Sequence, residues 1–133
     1  LRDQDAVDRN RGIGAQGYCM TGSFALVAPA ALPEVKAGAS FHGGGLVRDD
    51  ARSPHRMLEA GNRYLIAIAR NDDAKAPAEK DTLRTAAAAV RAPAEIEVYP
   101  ADHGWCVPDS PSYDRVEADR AWTRLLETYR AAL

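Results

Sequence analysis

The chain has 133 residues and few of the features that indicate a membrane, a nucleic acid or a disulfide framework. No apolar run approaches the roughly 18 residues that a membrane-spanning helix needs, so no membrane span is expected. The formal net charge is −2 and the basic residues are scattered, which predicts neither nucleic acid nor an anionic membrane as a partner. The first residues, LRDQDAVDRNRG, are charged throughout and predict no secretory signal.

Cysteine is scarce, and its scarcity limits both the redox setting and the metal chemistry. Cys19 and Cys106 are the two cysteines, too few for a disulfide scaffold, so a reducing, cytoplasmic setting is expected. His42, His55 and His103 lie far apart, and no CxxC or HExxH motif occurs. Sequence spacing therefore predicts no metal site, and nothing in the sequence calls for an organic cofactor.

Strand-like and helix-like apolar segments alternate along the chain, which predicts one α/β domain over residues 1–133. The expected strands cover residues 12–19, 37–42, 63–69 and 94–100, and the expected helices cover residues 20–32, 77–90 and 113–132. The segment NDDAKAP, residues 71–77, is predicted to be a loop. Because strands alternate with helices, about four parallel strands with helices on both faces of the sheet are expected.

Two of these segments carry patterns that predict which side is buried. In the fourth strand, Glu95 and Glu97 alternate with apolar residues, so one face of that strand is expected to be wet or near a sheet edge. In the last helix, apolar residues at helical spacing predict the buried stripe. Its members are Val116, Trp122, Leu125, Leu126, Tyr129 and Leu133.

Side chains that can act as nucleophile, acid or base lie at the ends of all four expected strands. Cys19 follows the first, His42 ends the second, Asp72 and Asp73 follow the third, and His103 follows the fourth. Ligands of parallel sheets bind beyond the carboxyl ends of the strands. The pattern therefore predicts a thiol, a carboxylate and an imidazole at one edge of the sheet.

A thiol, an imidazole and a carboxylate together suit nucleophilic catalysis. An imidazole accepts the thiol proton, and a carboxylate orients and supports the imidazolium. The backbone N–H of Met20, at the start of the next helix, is positioned to donate to an oxyanion. In GYCMTG, glycines flank Cys19 closely, although Thr21 stands where a tight nucleophile turn usually has glycine. A β-branched residue there is expected to crowd the turn.

Four motifs in order, GYCMTG, SFHGGG, ARNDD with a later proline, and ADHGW, resemble those of the dienelactone hydrolase family of α/β-hydrolases. The resemblance implies a partial α/β-hydrolase fold with Cys19 as nucleophile and His103 as general base. For the acid, the A-x-x-D spacing favours Asp72, whereas the distance to Pro77 favours Asp73. The implied function is hydrolysis of a small carboxylic ester or lactone without a cofactor.

The resemblance corresponds to the C-terminal half of such hydrolases, which are about twice this long. In the family the nucleophile strand is central, so here its outer edge is expected to be bare, and a bare edge favours pairing with a second copy. Either a homodimer through that edge or a marginally stable fold is therefore expected. The alternative reading is a catalytically impaired or inactive remnant that serves as a folded, dimerising module. A redox protein is a weaker alternative, because no resolving cysteine lies near Cys19.

The remaining residues have a structural as well as a functional interpretation. Tyr18 and Trp105 are predicted to contact the substrate ring, with packing as the alternative. For His42 a turn or packing role is favoured over a place in the pocket, and the glycines after it are interpreted as a turn. Cys106 is expected to pack, and His55 to lie in a surface loop or at a helix start.

Overall fold

A computed structural model describes residues 3–133, so the first two residues of the predicted domain lie outside the described part. The strands are β1 (Ile13–Tyr18), β2 (Val35–Phe41), β3 (Arg63–Ala69) and β4 (Ala94–Tyr99). The helices are α1 (Gly22–Ala31), α2 (Arg70–Lys75), α3 (Glu79–Ala89) and α4 (Arg115–Ala132), with 3-10 turns at Cys19–Thr21 and Pro54–Met57. The strands form one parallel sheet in the order β1-β2-β3-β4, which confirms the predicted α/β class.

Helices cover both faces of the sheet because β3 is apolar on both sides. Alternate β3 residues enter two separate hydrophobic clusters, one shared with α1 and α3 and the other shared with α4. The first cluster includes Leu26, Tyr64, Ile66, Ile68 and Leu83, and the second includes Leu65, Ala67, Ala69, Ala121 and Leu125. A strand buried on both faces reads as a continuous apolar run, which is why RYLIAIA was recognisable in the sequence.

The polar face of β4 meets α4 at the edge of the sheet. Glu95 pairs with Arg124, whose Nε donates to Oε1 at 2.7 Å, and Glu97 pairs with Arg120. The predicted position of this strand near an edge agrees with the sheet order. The glutamates are only partly buried, so these pairs contribute modestly and mainly align α4 with β4.

One expectation about the helices is wrong, and a second is only partly right. The predicted loop after β3 begins instead with helix α2, whose first turn contains Asp72 and Asp73, and acidic side chains stabilise a helix N-terminus. In the predicted stripe of α4, Leu125 is buried as expected, whereas Val116 is 75% exposed and Trp122 is 54% exposed. The buried face runs through Ala121 and follows from contacts with β2 and β3. Successive helical residues point about 100° apart, so Trp122, which follows Ala121, points well away from the buried face.

Strand β1 forms the other edge of the sheet. Within residues 3–133 it pairs with β2 alone, and Ile13 and Ala15 are partly exposed. The bare outer edge that the sequence predicted is therefore present in the described part of the chain. The same residues include no helix that combines the length and apolarity needed to cross a membrane. Dimerisation through β1 stays a prediction.

Candidate active site

A sharp turn at the end of β1 carries Cys19, and two glycines make it possible. Cys19 has a φ of 50°, a left-handed conformation that is strained for a residue with a side chain. A Cβ on Gly17 would lie 2.1 Å from the Thr21 carbonyl oxygen, and one on Gly22 would lie 2.8 Å from the Gly43 Cα. Both close approaches involve backbone, so only glycine fits at these two positions.

Thr21 does not crowd the turn, contrary to the sequence expectation. Its side chain is exposed, and its hydroxyl accepts a hydrogen bond from the Tyr18 N–H at 2.9 Å and donates one to the Tyr18 carbonyl at 2.8 Å. The hydroxyl thus bridges the two ends of the turn. The prediction from the sequence missed this contribution because it considered the volume of the β-branched side chain and not its hydroxyl group.

Cys19, His103 and Asp72 form a continuous chain of contacts. The Cys19 Sγ lies 3.2 Å from His103 Nε2, and His103 Nδ1 lies 2.5 Å from the Asp72 Oδ2. The Asn71 side-chain oxygen accepts the His103 backbone N–H at 2.9 Å and so anchors the loop after β4. Sequence reasoning had not identified Asn71. With Nδ1–H facing a carboxylate, the Nε2 lone pair faces the thiol.

Asp73 lies elsewhere. Its Oδ1 accepts a 2.7 Å hydrogen bond from the Lys80 ammonium. Adjacent residues of a helix point about 100° apart, so α2 directs Asp72 toward His103 and Asp73 toward α3. The sequence left both carboxylates open as candidates for the acid, and only Asp72 contacts His103.

His42 enters the same site, although the sequence favoured a turn or packing role. Its Nδ1 lies 3.3 Å from the Cys19 Sγ and accepts the Cys19 backbone N–H at 3.3 Å. The ring is fully buried, 4.9 Å from the His103 ring and 4.9 Å from Trp105 between ring centroids. The residue also turns the chain, with a φ of 40°. Its position at the end of β2 was the signal that favoured a site role.

His42 is neutral near pH 7. Burial and, secondarily, the nearby His103 lower its pKa to about 4. Because Nδ1 accepts the Cys19 N–H, the ring proton is assigned to Nε2. That Nε2 is buried without a hydrogen-bond partner among the described residues.

The aromatic residues predicted to contact substrate differ in exposure. Trp105 is fully buried and stacks on Tyr99 at 5.1 Å. It also packs edge-on against the His42 ring, and so holds that ring in place. Tyr18 is partly exposed and stacks on Phe41 at 5.2 Å. It borders a cavity of about 180 Å³ that Cys106 also lines. Tyr18 is therefore the more accessible of the two.

Cys106 and His55 are not members of the chain of contacts formed by Cys19, His103 and Asp72. Burial, followed by the charge of Cys19, raises the pKa of the Cys106 thiol to about 12, which makes this thiol a poor nucleophile. His55 sits in the turn Pro54–Met57, with Nδ1 2.7 Å from the Ser53 hydroxyl oxygen. Of the two positions expected for His55, a surface loop or a helix start, the structure shows the helix start.

Met20 follows Cys19 in the 3-10 turn. Its side chain is 74% exposed, and its backbone N–H belongs to the first residues of a helical turn, which lack partners within the helix. The predicted oxyanion role of this N–H stays a prediction.

The fold also assembles metal-ligating atoms that sequence spacing did not reveal. One ligand atom each of Cys19, His42 and His103 lies within 4.8 Å of the other two. These residues come from three strand ends that are distant in sequence and adjacent in the sheet. A spacing rule cannot detect such a group.

The parallel sheet and the strained turn at the end of β1 define the α/β-hydrolase fold. The chain belongs to the dienelactone hydrolase family, whose profile matches residues 2–133. It is 29% identical over 119 residues to a protein of Escherichia coli (strain K12) named "Putative carboxymethylenebutenolidase". That match covers 86% of this chain and 44% of the relative.

Solved structures agree on the fold. The crystal structure of a protein from Klebsiella pneumoniae named "Putative Dienelactone Hydrolase" superposes with a TM-score of 0.64 at 25% identity. The superposition covers 86% of this chain and 50% of that one. A dienelactone hydrolase-like promiscuous phosphotriesterase from metagenomic libraries superposes with a TM-score of 0.77 at 20% identity, covering 99% of this chain and 56% of that one. The chain thus spans about half the length of the proteins it matches.

Proposed function

We propose that this chain hydrolyses a small carboxylic ester or lactone through Cys19, His103 and Asp72. The observation that carries the proposal is the chain of contacts from the thiol through both ring nitrogens of His103 to the Asp72 carboxylate, at 3.2 and 2.5 Å. Membership of the dienelactone hydrolase family supports the same reaction class. The reaction needs no cofactor and no nucleic-acid or membrane partner. A reducing, cytoplasmic compartment would keep the thiol reactive.

The first half-reaction forms a thioester. His103 Nε2 accepts the thiol proton while the Cys19 Sγ attacks the carbonyl carbon, and the carbonyl oxygen becomes an oxyanion. The Met20 N–H donates to that oxyanion. When the tetrahedral intermediate collapses, the C–O bond breaks and the leaving alkoxide takes the proton from Nε2. In a lactone that oxygen stays attached to the acyl chain.

The second half-reaction regenerates the thiol. His103 Nε2 removes a proton from water, and the hydroxide attacks the thioester carbonyl. Collapse then breaks the C–S bond, the free acid leaves, and the sulfur recovers its proton from Nε2. Asp72 holds the ring tautomer that both steps require.

Two further residues shape the site in this proposal. The neutral His42 fixes the strained Cys19 backbone through the Cys19 N–H, and adds no charge beside the developing imidazolium. Tyr18, partly exposed beside the turn, contacts the apolar part of the substrate. Trp105, predicted for the same role, acts through the packing of His42.

The test is turnover of an activated ester and of a dienelactone by the wild-type chain, Cys19→Ala and the matched control Cys106→Ala, at a measured oligomeric state. We expect turnover in the wild type and in Cys106→Ala, and none above background in Cys19→Ala. Turnover that survives Cys19→Ala would contradict the assignment of the nucleophile.

A second candidate function is that of an inactive, dimerising module. The observation that favours it is the outer edge of β1, which is unpaired within residues 3–133. Light scattering would give a dimer that Ile13→Lys weakens, because a charge on an edge strand opposes pairing. A monomer at high concentration would exclude dimerisation, and turnover lost in Cys19→Ala would exclude inactivity.

A further inference from the structure

We propose that Cys19, His42 and His103 bind one thiophilic divalent ion, with Zn²⁺ the best fit, and that the bound ion masks the Cys19 thiol. The three residues place a sulfur and two imidazole nitrogens within 4.8 Å of one another. The proposal concerns metal binding alone, so it holds whether or not the chain hydrolyses esters.

The separations between the ligand atoms are close to those of a tetrahedral zinc site. Zinc bonds of about 2.3 Å to sulfur and about 2.0–2.1 Å to nitrogen put sulfur and nitrogen ligands roughly 3.5 Å apart at tetrahedral angles. The Cys19 Sγ lies 3.2 Å from His103 Nε2 and 3.3 Å from His42 Nδ1. Both distances need to lengthen by only a few tenths of an ångström.

Rigid and adjustable ligands are combined in this site. His42 is fully buried against Trp105 and Tyr18, so its ring stays in place. The His103 side chain is 37% exposed and is free to tilt about its contact with Asp72. Tilting brings the two ring nitrogens to the roughly 3.3 Å that a shared zinc ion requires. Three protein ligands with partly exposed Cys19 and His103 leave the fourth position for water.

The protonation pattern also suits a metal ion. His103 donates its Nδ1–H to Asp72, so its Nε2 lone pair faces the sulfur. His42 Nδ1 lies 3.3 Å from the same sulfur, and on metal binding its single lone pair exchanges the hydrogen bond from the Cys19 N–H for the bond to the ion. On binding, the thiol proton passes to solvent and a metal–sulfur bond forms, without any redox change. Asp72 then becomes the outer-shell carboxylate that metal-bound histidines commonly contact.

The ligand set selects the class of ion. One thiolate and two imidazoles favour zinc and similar borderline or soft ions, whereas magnesium and calcium prefer oxygen ligands. The Cys19 thiolate and the Asp72 carboxylate, which also contacts the Lys75 ammonium at 3.4 Å, place negative charge beside a cation in this partly buried site. An ion bound there occupies both the sulfur and His103 Nε2, so neither can react.

The first experiment titrates Co²⁺, a spectroscopic probe for zinc sites, into protein stripped with chelator and kept reduced with a phosphine. We expect one equivalent of Co²⁺ to bind and to show thiolate-to-cobalt charge-transfer absorption and the visible bands of tetrahedral cobalt. One equivalent of Zn²⁺ should displace the Co²⁺ and abolish both absorptions. Cys106→Ala and His55→Gln are the matched controls and should titrate like the wild type. The proposal is overturned if charge-transfer absorption is absent, or persists in Cys19→Ser.

Variants of the outer-shell carboxylate and of the ligand His42 test the rest of the site. Asp72→Asn should weaken affinity by roughly 10–100-fold, as loss of an outer-shell partner does, and His42→Gln should weaken it more. Unchanged affinity in a folded His42→Gln protein would overturn the three-ligand site.

A second measurement uses only the wild type, in case the buried His42 variant fails to fold. Iodoacetamide alkylation is mapped to Cys19 or Cys106 by mass spectrometry, with and without one equivalent of Zn²⁺. We expect Zn²⁺ to slow alkylation of Cys19 at least tenfold and to leave Cys106 unchanged. Equal Cys19 rates would overturn the proposal. Neither measurement depends on turnover, so an inactive protein that binds metal, or an active one that does not, is recognised as such.

Discussion

Replacing Gly17 by alanine should displace the turn that carries Cys19. The added Cβ would lie 2.1 Å from the Thr21 carbonyl oxygen and 2.9 Å from the Gly22 nitrogen, and such contacts below 3.0 Å essentially do not occur. The obstructing atoms are backbone, so no side chain can rotate out of the way. Relief therefore requires the Cys19–Thr21 turn to move by at least 0.9 Å, the difference between 3.0 and 2.1 Å.

That displacement sets the expected magnitudes. Inserting one methyl group into a close-packed site typically costs 1–3 kcal/mol, and a rigid backbone obstruction favours the upper end, about 3 kcal/mol. The same shift separates the Cys19 Sγ from His103 Nε2, now 3.2 Å apart. A misplacement of about 1 Å at a reacting group costs on the order of 10²-fold in rate.

Gly44→Ala is the matched control, because a Cβ at Gly44 would meet nothing within 4 Å and its φ is not in the left-handed region. That variant should be neutral or stabilised by about 0.4–1 kcal/mol. Urea unfolding gives the free-energy differences, and alkylation and ester turnover report on Cys19. A Gly17→Ala protein with the stability of Gly44→Ala would refute the steric argument for the turn.

Three further predictions concern the groups around the site. Asp72→Asn should reduce ester turnover on the order of 10⁴-fold if Asp72 acts as the orienting acid, whereas Asp73→Asn should stay within a few-fold; similar losses in both would contradict the distinction. Thr21→Val should lower the free energy of unfolding by about 1–2 kcal/mol through its two lost hydrogen bonds to Tyr18, and Thr21→Ser should restore most of it. His42 titrates near pH 4 when folded and near 6.5 when unfolded, so the unfolded state takes up the proton first as pH falls. In chelator, the stability of the wild type relative to His42→Gln should therefore fall by about 3 kcal/mol between pH 7 and pH 4, and a constant difference would count against the buried neutral ring.

Features that depend on local sequence were predictable. The apolar run of β3 indicated a strand covered on both faces, and its bounds, Arg63–Ala69, match the prediction. The glycines around Cys19 indicated a close turn, because a Cβ-free backbone is a property of the residue itself. The family and the α/β fold followed from the motifs and are confirmed. The catalytic roles of Cys19, Asp72 and His103 stay predictions.

Features that depend on rotation about an element, or on what packs behind it, were not predictable. The pattern of α4 includes Trp122, yet the contacts of the helix with the sheet bury Ala121 and leave Trp122 exposed. The same kind of rotation in α2 directs Asp72 rather than Asp73 at His103, although the two carboxylates are adjacent in the chain.

The sequence by itself determined the order of strands and helices, and it placed reactive side chains after successive strands. Parallel topology then necessarily brings those strand ends to one edge of the sheet. Only the tertiary structure decided that His42 lies against the Cys19 thiol, 3.3 Å away, with Trp105 buried behind it. Burial and distance arise from atoms that the chain folds together across dozens of residues, and no local pattern encodes them.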